Sequence, residues 1–144
     1  MPFLKIALAA IALSAMATEA LAENWLEVSR TAESALISVD KDSGEVSGTH
    51  VKFWDRTVYP TARLIGVYQG TPMAAENIKG VVHFVEMRAY HDIDCRQRKY
   101  STAAVNYHDA AGTAVSKVVQ YPAPTAIAPN SLPDLEAKLM CPSR

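Results

Sequence analysis

Two cysteines, four histidines and 15 carboxylates carry most of the chemical potential of this 144-residue chain. Cys95 and Cys141 stand without a CxxC or Cys/His spacing, so neither a zinc ligand set nor a thiol redox motif is spelled out. His83 and His91 share one side of an alternating segment, but eight residues of strand span about 26 Å, too far for one metal ion. Asp92 and Asp94 neighbour His91, yet alternation puts them on the opposite side, and His91 reads as a surface histidine near carboxylates. No serine or cysteine occupies a nucleophile elbow, no HExxH pair occurs and no glycine-rich phosphate loop is present. The residues therefore imply no catalytic group, no metal site and no cofactor, and an enzyme is not expected.

Arg96, Arg98 and Lys99 form a short basic cluster just after Cys95. Such a cluster either discourages strand addition at a solvated edge or faces an acidic polysaccharide or acidic protein, which makes the three candidate binding residues. Trp54, Tyr90, Tyr100 and Tyr107 would serve a binding face, or equally a second core layer. A groove holding a small ligand, haem-like or metallic, would use His83, Met87 and Tyr90, as in a periplasmic carrier or envelope accessory protein. Composition narrows the classes further. The chain is 49% apolar and 20% charged, which excludes disorder as its main state. Its net charge of −1 leaves no basic excess to neutralise phosphates, which argues against a nucleic-acid binder.

Residues 1–22 have the make-up of a signal peptide. Lys5 supplies the positive start, residues 6–16 an apolar run of about 11 residues, and Ala20-Leu21-Ala22 a cleavage site before Glu23. No cysteine follows for lipid attachment, and no later stretch approaches the roughly 20 apolar residues of a membrane span. The expected product is one exported domain, residues 23–144, periplasmic, secreted or at the cell surface, and not lipid-anchored.

Alternation predicts strands at 24–30, 34–40, 46–59, 83–95, 97–108 and 113–121, with turns at 41–44 and 109–112. Residues 60–79, with two prolines and two glycines, read as a long loop holding at most a short strand at 63–68. Short polar turns between sequential strands predict an antiparallel meander of roughly six strands, an α+β fold with one helix at the C-terminus. Prolines at 122, 124 and 129 exclude helix and central strand before Ser131 caps that helix. Pro133 suits its first turn, and Leu132, Leu135 and Leu139 form its apolar stripe. About ten residues of helix do not persist alone in water, so the helix must be docked. In an oxidising compartment Cys95, ending the most regular strand, and Cys141, ending the helix, are expected to pair and pin the helix to one sheet face. The chain-entropy model values closure of that loop of about 47 residues at about 4 kcal/mol.

The chain also resembles the surface-adhesin protein E family of Gram-negative bacteria. The features that carry the resemblance are Asn24-Trp25, Ile37-Ser38-Val39-Asp40, Val51-Lys52-Phe53-Trp54-Asp55 with Tyr59-Pro60, and Asp94-Cys95-Arg96 followed by Arg98. Tyr107 before a glycine-containing turn, Ile127-Ala128-Pro129-Asn130-Ser131 and Met140-Cys141 complete them. The resemblance implies an antiparallel sheet with a disulfide-held C-terminal helix. It also implies a non-enzymatic role, binding host or extracellular-matrix proteins at the bacterial surface, and it transfers no binding residues.

Overall fold

The computed structural model describes residues 23–68, 71–73, 81–119 and 122–142. The expected signal peptide, residues 69–70 and 74–79 of the expected loop, and residues 120–121 of the expected last strand lie outside the described residues. Among the described residues nine strands form one antiparallel sheet. They are β1 (Trp25–Arg30), β2 (Leu36–Asp40), β3 (Glu45–Ser47), β4 (His50–Tyr68), β5 (Thr71–Met73), β6 (Val81–Asp94), β7 (Lys99–His108), β8 (Ala114–Val119) and β9 (Thr125–Ala126). One helix, α1 (Leu132–Met140), follows. The main path runs β1-β2-β4-β6-β7-β8, while β3 and β5 flank β4 and β9 flanks β7.

The strand count thus exceeds the expected six. The expected strand 46–59 breaks at Gly48, whose φ of +60° is open to a residue without Cβ, and β3 folds back on β4 from Ser47 to His50. Residues 60–68 continue β4 instead of looping out. Pairing with β6 stops at Val58 opposite Glu86 and resumes at Arg63 opposite Phe84. Pro60, which has no N–H to give a ladder, falls inside that irregularity. Past it β4 and β5 make a hairpin at the far end.

The core lies between one sheet face and α1. Val39, Val51, Phe53, Ile93, Ile127 and Ala137 form it, with Val28, Cys95, Tyr100, Met140 and Cys141 packed around them. Burial on β4 follows the pleat, with Val51, Phe53 and Asp55 inside and Lys52 exposed. Ala89 and Ile93 on β6 are buried as alternation predicts, whereas Val85 and Met87 are only partly so.

Ser131 caps α1, its hydroxyl accepting from the Asp134 N–H and donating to the Ala128 carbonyl. Cys95 and Cys141 are bonded with Cα atoms 5.8 Å apart, as expected. The expected apolar stripe of α1 does not face the core. Asp134, Glu136 and Ala137 are buried, while Leu139 is 37% exposed and Leu132 and Leu135 are half-buried. The disulfide sets this rotation. Position 139 lies about 200° around the axis from Cys141, whereas Ala137, four residues back, shares its side.

Candidate functional site

Three chemically active side chains meet beneath α1. Asp55 comes from β4, two residues after Phe53 on the buried side, and its cross-strand partner Ala89 donates its backbone N–H to Asp55 Oδ1 at 3.3 Å. His91 stands opposite Phe53 on β6, the two rings 5.7 Å apart. The β6–β7 register slips between Tyr90 and His91, so that Thr102 falls opposite His91, and its hydroxyl meets His91 Nδ1 at 3.0 Å. A bulge that re-aims a side chain is a recurrent device next to functional positions. Glu136, only 2% exposed, comes from α1.

One donor atom from each of Asp55, His91 and Glu136 lies within 4.8 Å of the others. His91 Nε2 is 3.1 Å from Asp55 Oδ2, close enough for an ion pair but not aligned as a hydrogen bond. That nitrogen and Glu136 Oε1 are both buried without a hydrogen-bond partner among the described residues. Burial, then the adjacent negative charge and hydrogen bond of Asp55, push the Glu136 carboxyl up to about 9. His91 is accordingly not the surface histidine expected: its side chain is 13% exposed and its carboxylate neighbours come from β4 and α1. Asp92 and Asp94 instead serve His50, at 2.8 Å and 3.6 Å. The strand pattern around His91 does not name Asp55 and Glu136 as its partners. The available signal was a carboxylate in phase with Val51 and Phe53.

The expected basic cluster is divided by the turn that carries it. Arg98 adopts φ +56°, sparsely populated for a long side chain, its carbonyl accepts from the Ile127 N–H at 2.9 Å, and its guanidinium pairs with Asp134. Lys138 at 2.9 Å, the Asn130 N–H at 2.9 Å and Arg98 hold the Asp134 carboxyl far below the ordinary carboxylate range. Lys99 lines a cleft with His50, Asp92, Asp94, Gln97, Ser101 and Pro124. Arg96 lines a second cleft with Val46, Gly48, Thr49 and Pro142.

The other sheet face gathers aromatic and guanidinium groups. Trp54 and Tyr90 pair across β4 and β6 with ring centroids 5.0 Å apart. Arg56 and Arg88 pair two residues along, and both lie over the Trp25 ring, at 4.4 Å and 5.6 Å from its centroid. Glu23 accepts from the Trp25 indole and from Arg88, each at 3.0 Å. His83, Met87 and Tyr90 do not converge: His83 is exposed opposite Leu64, Met87 pairs with Thr57 and Tyr107, and Tyr90 stacks on Trp54.

No helix among the described residues is long and apolar enough to cross a membrane. Neither curated proteins nor solved structures give a match to the chain. The family model described as surface-adhesin protein E matches residues 25–142, from the first residue of β1 to the residue after Cys141. With the antiparallel sheet and the disulfide-held helix that the resemblance called for both in place, the chain belongs to the surface-adhesin protein E family.

Proposed function

We propose that this protein is an exported, non-enzymatic binding module that engages host or extracellular-matrix proteins at the cell surface. The observation that carries this reading is the family match across residues 25–142. The sheet face turned away from α1 supports it. Trp25, Trp54 and Tyr90 lie there beside Arg56 and Arg88, each partly exposed. Trp, Tyr and Arg are the residues most enriched at the energetic centres of protein interfaces. Stacking of Arg56 and Arg88 on Trp25, tied down by Glu23, holds the side chains in place before a partner arrives, which lowers the entropy cost of binding. Arg96 and Lys99 stand at the rims of two clefts, where they would meet acidic groups of a partner. Arg98, committed to Asp134, acts in the fold.

Display on the cell is tested by protease shaving of intact cells that express the protein. Loss of the protein without loss of a periplasmic marker is expected, and full protection would contradict a surface role.

A further inference from the structure

We propose that Asp55, His91 and Glu136 form a binding site for one divalent transition-metal cation of the zinc type, held between the sheet and α1. The donors are right in kind and number. One imidazole and two carboxylates on three separate elements are a common ligand set for such ions, and three protein ligands leave a position for water. An imidazole donor and so few oxygens disfavour calcium and magnesium.

The spacing agrees. Bonds of about 2.0–2.2 Å place the ligand atoms of an octahedral or tetrahedral zinc ion about 2.8–3.6 Å apart at adjacent positions. His91 Nε2 and Asp55 Oδ2 are already 3.1 Å apart, and Glu136, with a carboxylate oxygen within 4.8 Å of both, would close the remaining distance on binding. Supporting contacts point the same way. Thr102 holds His91 at Nδ1, which leaves Nε2 directed into the cluster, and the Ala89 N–H holds Asp55 at Oδ1, which leaves Oδ2. Outer contacts of this kind orient metal ligands. Glu136 supplies an independent observation: it is 2% exposed and its Oε1 is buried with no hydrogen-bond partner among the described residues. A divalent cation would also supply the positive charge without which two carboxyl groups are costly to bury in ionised form. Bound there, it would fasten α1 to β4 and β6, a second clasp beside the disulfide.

The test is calorimetric titration of the chelator-stripped, oxidised protein with zinc chloride, with circular dichroism and a free-thiol count on every variant. One zinc ion per chain and a raised melting temperature are expected. Glu136→Gln and His91→Gln should weaken binding at least about 100-fold and Thr102→Val about tenfold. His50→Gln, in the exposed His50, Asp92 and Asp94 cluster, should leave it unchanged. Absence of stoichiometric uptake by the wild type overturns the proposal, as does uptake that survives both ligand variants or vanishes in His50→Gln. Should the ligand variants fail to fold, cobalt(II) added to the wild type decides. Intensified visible bands support the site, and the unchanged spectrum of the aqueous ion overturns it. Neither result bears on matrix binding, which is measured separately.

Discussion

Cys141, one turn beyond Ala137 on the same side of α1, is bonded to Cys95 at the end of β6, and this bond decides which face of the helix meets the sheet. A nine-residue helix has little tendency to stay folded by itself, so its structure depends on being held. Replacing both cysteines by serine should lower stability by about 4 kcal/mol, the loop-closure value for a sequence separation of 46. Urea denaturation with a linear extrapolation checks this. A loss below about 1 kcal/mol would mean that packing, not the bond, docks the helix.

The rotation of α1 gives a second expectation. Ala137 is 2% exposed against the core, so Ala137→Leu should overpack it and cost about 1–3 kcal/mol. Leu139→Ala, at a position 37% exposed, should stay within about 0.5 kcal/mol of the wild type. Phe53→Ala, under the same helix, should cost about 3–5 kcal/mol. Melting curves of the three variants suffice, and the reverse order for positions 137 and 139 would place the leucine stripe inside.

Arg98 and Arg96 should separate in the same assay. Arg98→Ala removes a partner of buried Asp134 and should lower the melting temperature. Arg96→Ala, at an exposed turn position, should leave it unchanged. If both substitutions are silent, Arg98 is not a tie between the β6–β7 turn and the helix.

His50 gives the pH dependence. Its hydrogen bond to Asp92, aided by the charges of Asp92 and Asp94, raises its pKa above the ordinary 6.5. A raised histidine pKa favours the folded state fully below 6.5, and the contribution fades as pH rises through the folded value. The pair is solvent-exposed, so the effect is small. NMR titration should place the His50 midpoint above 6.5, and Asp92→Asn should return it toward that value. A wild-type midpoint at or below 6.5 contradicts the pairing.

Much of the fold was legible because it is local. Strands β1, β2, β6, β7 and β8 follow from alternation, and the Ser131 cap and Pro133 announce α1. What alternation missed depends on other elements. Pro60 reads as a break, yet β6 pairs with β4 on both sides of it and β5 pairs beyond it, carrying β4 to Tyr68. The leucine stripe of α1 satisfies helical spacing, but a covalent bond at Cys141 overrides that preference. The strand pattern alone reads His91 as a surface histidine, because its carboxylate partners lie 36 and 45 positions away in sequence, on β4 and α1. No single-strand pattern contains that meeting. The bulge opposite His91, which brings Thr102 to it, is equally invisible before pairing is known.

The binding role rests most directly on one measurement: an isotherm of the oxidised protein on an array of immobilised extracellular-matrix proteins. Saturable binding to at least one of them is expected, weakened about tenfold or more by Trp54→Ala with Tyr90→Ala, a pair at the centre of the open face. Signals that stay linear with concentration on every matrix protein would contradict it.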